Sequence, residues 1–401
     1  MKMPPACIFF FRTLYKPEKI CYTHSVISFL PGCKNRKLRP EGGIRARSPV
    51  MKKSTKLNLI FCGFAFALMM VYLFCLGETK DLLTALGRIQ LPFLGLALLI
   101  MLVYWFLEAL STHIILKKIC PEQKFRHTFI TTVIGQYFNC ITPFASGGQP
   151  MQAYYMGKYG VPASASISVL MSRLILYHVA ETLYCLVVLI LRFSLFTTGE
   201  LGALMVLAII GFIVCSAFIV FLLLISFCKN WTMKVVSKVI YLLARIRLIK
   251  DPQKTCESIE ASMDASFNNM KFVLREPWML TKVIITTALE LTVYFSVSYV
   301  IYRGFGLGEH DFLTVISCQA FVYLISAFMP MPGAMGAAEG SYVGYFSYIY
   351  NDGSLVAIST FIWRFLTFYL PIVVGIILTL ILQRNKKGTQ VIDRQNEEPP
   401  S

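Results

Sequence analysis

The chain has 401 residues, of which 56% are hydrophobic and only 15% charged, with a mean hydropathy of +0.63. Soluble globular chains carry about 25% charged side chains, so this composition cannot clothe a water-exposed surface and excludes an ordinary soluble enzyme. The net charge of +17 does not indicate nucleic acid, because +8 of it lies in residues 1–50 and the remainder flanks hydrophobic spans.

Residues 1–50 lack a signal-peptide core, since Cys7 to Phe11 supplies only a short apolar run where roughly 7–15 residues are needed. Met51-Lys52-Lys53-Ser54-Thr55-Lys56 is a basic start that leads straight into a span. Met51 is therefore the expected native start, with residues 1–50 a disordered or mis-assigned leader; a basic arm on anionic lipid is the alternative. Leu57–Leu76 and Pro92–Ile115 are the first expected spans, because about 20 apolar residues at about 1.5 Å each cross the hydrocarbon layer. The next apolar run, His127–Ile141, meets Thr142-Pro143-Phe144-Ala145-Ser146-Gly147-Gly148-Gln149-Pro150. Proline lacks an N–H and glycine is a poor helix former, so Pro143, Gly147, Gly148 and Pro150 should break the helix there.

Ala163–Leu191 and Leu201–Cys228 are the next expected spans, followed by a long basic loop over residues 229–281. In that loop Trp231, Val235, Val236, Val239, Leu242 and Leu243 form an apolar stripe opposite Lys234, Lys238, Arg245 and Arg247. A helix lying on the anionic leaflet and a plain solvated connector both fit it. Lys282–Ile301 is the fifth span. A second broken run follows, Phe312–Phe328 into Met329-Pro330-Met331-Pro332-Gly333-Ala334-Met335-Gly336, with Pro332, Gly333 and Gly336 as the breaking residues. Leu355–Leu382 completes the spans, ahead of a polar tail at 385–401.

Lysines and arginines beside the spans give the orientation. Lys52, Lys53, Lys56, Lys117, Lys118, Lys124, Arg126, Arg384, Lys386 and Lys387 are expected in the cytoplasm with both termini, and a bacterial cytoplasmic membrane is the expected location. Six full crossings return the chain to its starting side, so each broken run must enter and leave on one side or cross twice. On this count the first dips in from the cytoplasm and the second from outside. The fold class is therefore all-α: a polytopic integral membrane helix bundle over residues 51–384 with two Pro/Gly-broken re-entrant elements, arranged as inverted repeats are in transporters.

Ionisable groups within the spans are Glu108, Arg173, His178, Glu181, Glu290, Glu339 and Arg364. Each costs roughly 2.5–3.5 kcal/mol at the centre of a membrane helix on insertion scales, so such residues normally face the bundle interior or a cavity. Arg173 and Glu181 diverge by only about 80° on one helix face, with His178 on the adjoining strip. They are candidates for an anion-binding arginine with acid/base neighbours, or for a polar cluster that only ties helices together. Glu339 follows the second break, where a carboxylate also suits a helix N-terminus. Arg364 requires a partner, Glu339 or a ligand phosphate. Glu108 and Glu290 have no partner legible in the sequence. Gly336, Gly340 and Gly344 recur every fourth residue as a packing seam. The 12 cysteines are scattered without a C-x-x-C pair and suit small buried hydrophobes. No catalytic set, metal-ligand set or cofactor motif stands out.

Asn139 to Tyr155 with its Pro/Gly break, then Ser172-Arg173, then Met331-Pro-Gly-Ala-Met-Gly-Ala-Ala-Glu339 with Arg364 downstream, together resemble the lysylphosphatidylglycerol synthase transmembrane-region family. That family includes the flippase half of the bacterial multiple peptide resistance factor, and the resemblance covers about Lys56 to Arg384. It implies a flippase-like fold that moves a phospholipid, typically an aminoacylated phosphatidylglycerol, between leaflets, with a separately encoded synthase as a partner. With Glu181 and His178 from the ionisable groups above, Arg173, Glu339, Arg364 and Gln149 are the headgroup-binding candidates; Gln149 and Gln152 stand where many relatives carry charge. The family label is also that of a lysyltransferase, but Arg384 to Ser401 leaves no room for the soluble transferase domain, so an enzyme is not the leading expectation. A small-solute transporter is the remaining alternative.

Overall fold

The computed structural model describes residues 79–193, 202–227, 229–245, 275–327 and 329–382, with isolated positions elsewhere. The expected leader, the start at Met51, the span Leu57–Leu76 and the polar tail lie outside the described residues, except for Gly63. Among the described residues every element is helical. They are α1 (Thr79–Arg88), α2 (Leu91–Ile119), α3 (Phe125–Ile141), α4 (Gly148–Lys158), α5 (Ala163–Leu191), α6 (Gly202–Phe227), α7 (Lys229–Arg245), α8 (Pro277–Gly304), α9 (Phe312–Ala327), α10 (Ala337–Tyr350) and α11 (Gly353–Leu382).

Five of these helices, α2, α5, α6, α8 and α11, are long and apolar enough to cross a membrane. Their outer faces are fatty: Leu99 and Leu102 of α2, Val206, Ile213 and Val220 of α6 and Val373 of α11 are exposed. Large apolar side chains turned outward on a fully helical surface are a lipid-facing belt, because water would penalise that area. The interior is built from aromatic side chains, with Trp105, Phe295, Tyr342, Tyr345 and Phe346 buried. Helix hydroxyls close on the preceding turn, as Thr286 does on Lys282 O and Thr360 on Val356 O, each at 2.7 Å. That satisfies them where no water is at hand.

The seam of the bundle is α2 against α8, packed along their lengths. They run antiparallel: Gln90 N donates to Gly304 O at 2.9 Å at one end, and Lys118 Nζ lies 3.2 Å from Glu276 at the other. The first broken run starts and finishes at the Lys118 end, where Gln123 Nε2 donates to Tyr159 O at 2.8 Å and closes the base of the α3–α4 hairpin. The second starts and finishes at the opposite end, where Tyr302 packs on His310 and on Tyr350. Arg192 pairs there with Asp311, and Arg88 lies 3.9 Å from Asp352. The two hairpins thus enter the bundle from opposite ends, and their broken turns, Pro143–Ala145 and Pro332–Ala334, touch each other.

The broken turns share a backbone. Each begins with an extended residue (Thr142, ψ 144°; Met331, ψ 144°), passes through proline, and continues with two residues of positive φ. These are Phe144 (53°) and Ala145 (49°) in one, Gly333 (61°) and Ala334 (52°) in the other. Around each turn the order is long helix, half-helix, break, half-helix, long helix, so α2–α5 and α8–α11 form two structurally similar units of opposed direction. This is the expected inverted repeat, carried by geometry with little sequence identity to announce it.

Gly336 and Gly340 do not serve the packing seam expected of them. A methyl group at Gly336 or Gly340 would meet nothing within 4 Å. Gly336 instead adopts φ +86°, a conformation costly for a residue with a Cβ. Close approach occurs elsewhere, at Gly375, where a Cβ would fall 2.2 Å from Tyr137, and at Gly135, where it would fall 2.2 Å from Gln152.

Candidate functional site at mid-depth

The charged groups of the bundle interior come from the middles of the long helices. Arg173, Glu290, Glu108 and Arg364 lie ten to thirteen residues from a helix end. At about 1.5 Å per residue that is about 15–20 Å, half the thickness of a hydrocarbon layer. The breaks lie at the same level, because each half-helix is about half as long as a full crossing.

Arg173 on α5 donates from Nη2 to Glu290 Oε2 on α8 at 2.6 Å, with both side chains buried. Its guanidinium also stacks 4.9 Å from the Tyr177 ring. Arg173 therefore does not pair with Glu181, with which it shares a helix face. His178 Nδ1 and Glu181 Oε2 form their own pair at 2.8 Å, and His178 packs edge-on against Phe218 of α6. The difference lies in distance: eight residues put Glu181 about 12 Å further along the helix axis, beyond the three- or four-residue spacing at which side chains of one helix meet.

Arg364 on α11 lies with Nε 2.7 Å from Glu339 Oε1, the expected partner. The other oxygen, Oε2, accepts the Gly336 N–H at 2.7 Å, so Glu339 caps α10 and holds the arginine at once. The arginine is framed by Trp363 and Phe368, whose rings lie 4.9 and 5.7 Å from its guanidinium carbon. It sits where α11 opens into a wide turn, Phe365–Tyr369. Pro371 has no N–H to give the carbonyl of Thr367 and its ring crowds it, which accounts for the wider turn.

Arg173 and Arg364 occupy corresponding places in the two units, each about a third of the way along the helix after its break. Each is held by one carboxylate, and each keeps buried donors with no hydrogen-bond partner among the described residues: Nε and Nη1 of Arg173, Nε and Nη2 of Arg364. The Arg364 Nε contact is a close ion pair without hydrogen-bond alignment. Glu108 and Glu290, without legible partners in the sequence, prove to be central. Glu108 Oε2 accepts from Gln136 Nε2 at 2.6 Å, and the same nitrogen donates to the Tyr104 hydroxyl at 3.2 Å. Between the two arginines lies an aromatic wall: Tyr104 on Tyr294 (5.0 Å), Tyr294 on Tyr323 (5.7 Å), and Tyr323 sharing a 2.6 Å hydrogen bond with Tyr177. A tyrosine quartet scattered over four helices leaves no pattern in the sequence.

Gln149, the remaining candidate, is half-buried in the first turn of α4, while Gln152 is buried against α3. The tips of the breaks are open: Phe144 is 62% exposed and Met331 56%. Irregular backbone at membrane depth requires protein or a water-lined hollow around it.

This chain is 22% identical over 325 residues to a UPF0104 membrane protein of Methanothermobacter thermautotrophicus, covering 79% of this chain and 93% of the relative. A UPF0104 membrane protein of Methanocaldococcus jannaschii is 24% identical over 300 residues, covering 68% and 81% respectively. Residues 60–375 match the family described as the lysylphosphatidylglycerol synthase TM region, a stretch that takes in both hairpins and both arginines. This membrane protein belongs to the family of lysylphosphatidylglycerol synthase TM regions.

Proposed function

We propose that this protein translocates a phospholipid, an aminoacylated phosphatidylglycerol by the family's name, across a bacterial cytoplasmic membrane with both termini in the cytoplasm. The single observation that carries this reading is the pair of buried arginines, one from each opposed unit, that keep unused donors at mid-depth. Arginine donors in a fork suit phosphate oxygens, so Arg173 and Arg364 hold the headgroup phosphate from the two units. Glu339 receives the headgroup amine at the second break, with Gln149 at the mouth of the first hairpin. His178 and Glu181 bound the same path on the α6 side. The acyl chains stay in the bilayer, and a separately encoded synthase supplies the lipid.

The test is a leaflet-resolved assay in proteoliposomes containing lysyl-phosphatidylglycerol, comparing the wild-type chain with Arg173→Ala and Glu339→Ala. Lipid movement by the wild-type chain that drops at least tenfold in both variants supports the site. Unchanged movement in both removes it. A soluble-solute flux without lipid movement would favour a solute transporter instead.

A further inference from the structure

Glu108 is the acid of the bundle interior that the lipid reading leaves unused. Its hydrogen-bond donor is a neutral amide, Gln136 Nε2 at 2.6 Å, and that amide is also shared with Tyr104. The groups that face it come from several helices. Arg173 on α5 and Glu290 on α8 act on it through charge. Tyr104 on its own helix adjoins Tyr294 on α8 and, through it, Tyr323 on α9. Helix α3 offers Gln136, while its Arg126 and His127 lie in its first turn, His127 against Gln123 and Tyr159. Arg364 on α11 approaches Tyr294 but is held by Glu339.

Arg173 spends its Nη2 on Glu290 at 2.6 Å, so the one cation beside Glu108 among the described residues is already matched by another carboxylate. Two carboxylates and one guanidinium leave a negative charge in the middle of a hydrocarbon-thick bundle, where an unbalanced charge is expensive. Neutralising Glu108 with a proton removes that excess while keeping its oxygen available to Gln136. Access is not sealed: Glu108, Tyr104, Gln136, Tyr294 and Tyr323 are all only partly buried.

We infer that Glu108 is a proton-binding site at mid-depth, protonated in this arrangement, which gives its proton to the aqueous phase when a cationic group or a freed Arg173 arrives beside it and takes one back when that charge leaves. The coupling of this proton to lipid movement rests on the function proposed above; the protonation itself does not.

Two measurements separate the cases. Infrared spectra of the purified full chain in phosphatidylglycerol nanodiscs should show the C=O stretch of a protonated carboxylic acid at neutral pH. The band should be lost in Glu108→Gln, shifted in Glu108→Asp and weakened in Glu290→Gln, where Arg173 is freed from its carboxylate and favours the ionised form of Glu108. A band that is absent in the wild-type chain, or that survives Glu108→Gln, overturns the proton site. In proteoliposomes carrying a fluorescent lysyl-phosphatidylglycerol analogue, lipid movement by the wild-type chain should change when a pH gradient is imposed, and movement by Glu108→Gln should be the same with and without it. A gradient response that persists in Glu108→Gln, or lipid movement by the wild-type chain that ignores the gradient, overturns the coupling. If the wild-type chain moves no lipid, the function proposed above fails and the coupling with it, while the infrared band still decides the proton site.

Discussion

At the scale of single residues, the interior is held by charges that cannot be removed one at a time. Glu339 and Arg364 form a pair in which the arginine is buried and the carboxylate largely so, and deleting one partner strands the other with little solvent to take up its charge, at a cost of up to about 3–5 kcal/mol. Glu339→Gln and Arg364→Gln should each lower unfolding stability in mild detergent by that order, and the double variant by clearly less than their sum. A strictly additive double variant would show that the two side chains do not interact. The close glycines behave differently, because they fail through volume. Gly375→Ala would drive a methyl group into Tyr137, and Gly333→Ala would drive one into Phe368 at a residue of φ +61°. Each should cost about 1–3 kcal/mol in the same measurement, whereas Gly340→Ala, with open space around it, should be neutral or better. These residue-level facts were only partly legible. Arg364 and Glu339 could be matched because a buried arginine demands an acid and few acids exist. Arg173 and Glu290 are separated by 117 positions, and nothing in one sequence says which helices lie side by side, so only the helix face that Arg173 shares with Glu181 could be read. At Gly336 and Gly340 the glycine spacing misled for a related reason: a period of four marks a helix face without saying that anything covers it.

At the scale of elements, the long helices were readable because hydropathy over twenty residues is a strong signal, and the expected Ala163–Leu191 is the observed α5. The breaks were readable because Pro143 and Pro332 each stand within a few residues of glycines, and no regular helix tolerates that combination. What the chain does inside the breaks was not readable. Phe144, Ala145 and Ala334 take positive φ, a cost of about 1–3 kcal/mol per residue that local propensity argues against and only surrounding contacts sustain. Thr142 supplies part of that support: its hydroxyl donates to Phe138 O at 2.7 Å and accepts the Gly147 N–H at 2.8 Å, bridging the turn. Thr142→Val should therefore loosen the first break without touching a charged group. Single cysteines placed in Pro143–Ala145 and Pro332–Ala334 of a cysteine-free chain should cross-link with a short bifunctional reagent in native membranes, since these turns are in contact. Thr142→Val should reduce the yield severalfold. No cross-link at any pair of positions would mean that the tips do not meet.

At the scale of the whole molecule, the antiparallel seam of α2 and α8 sets the ends, and the hairpins take opposite ones. An inverted repeat of this kind gives two related halves that can exchange roles about a central site, with each break supplying polar backbone where continuous helices would offer none. Charge bias along the chain anticipated the arrangement through parity, since an even number of crossings leaves each broken run no choice but to return to its own side. The structure reaches the same point by contacts alone, through Gln123 with Tyr159 at one end and Tyr302 with Tyr350 at the other. Thiol labelling tests the two together. Gly157 and Gly353 both have open space where a side chain would go, so Gly157→Cys and Gly353→Cys should leave the fold intact, and Glu122 and Glu309 offer exposed companions at the other foot of each hairpin. In intact cells a membrane-impermeant maleimide should modify the cysteines at 309 and 353, and those at 122 and 157 should react only after the membrane is opened. Reaction of 157 and 353 from the same side would place both hairpins on one face, break the symmetry of the two units, and leave Arg173 and Arg364 on a common path from one side instead of at the meeting point of two.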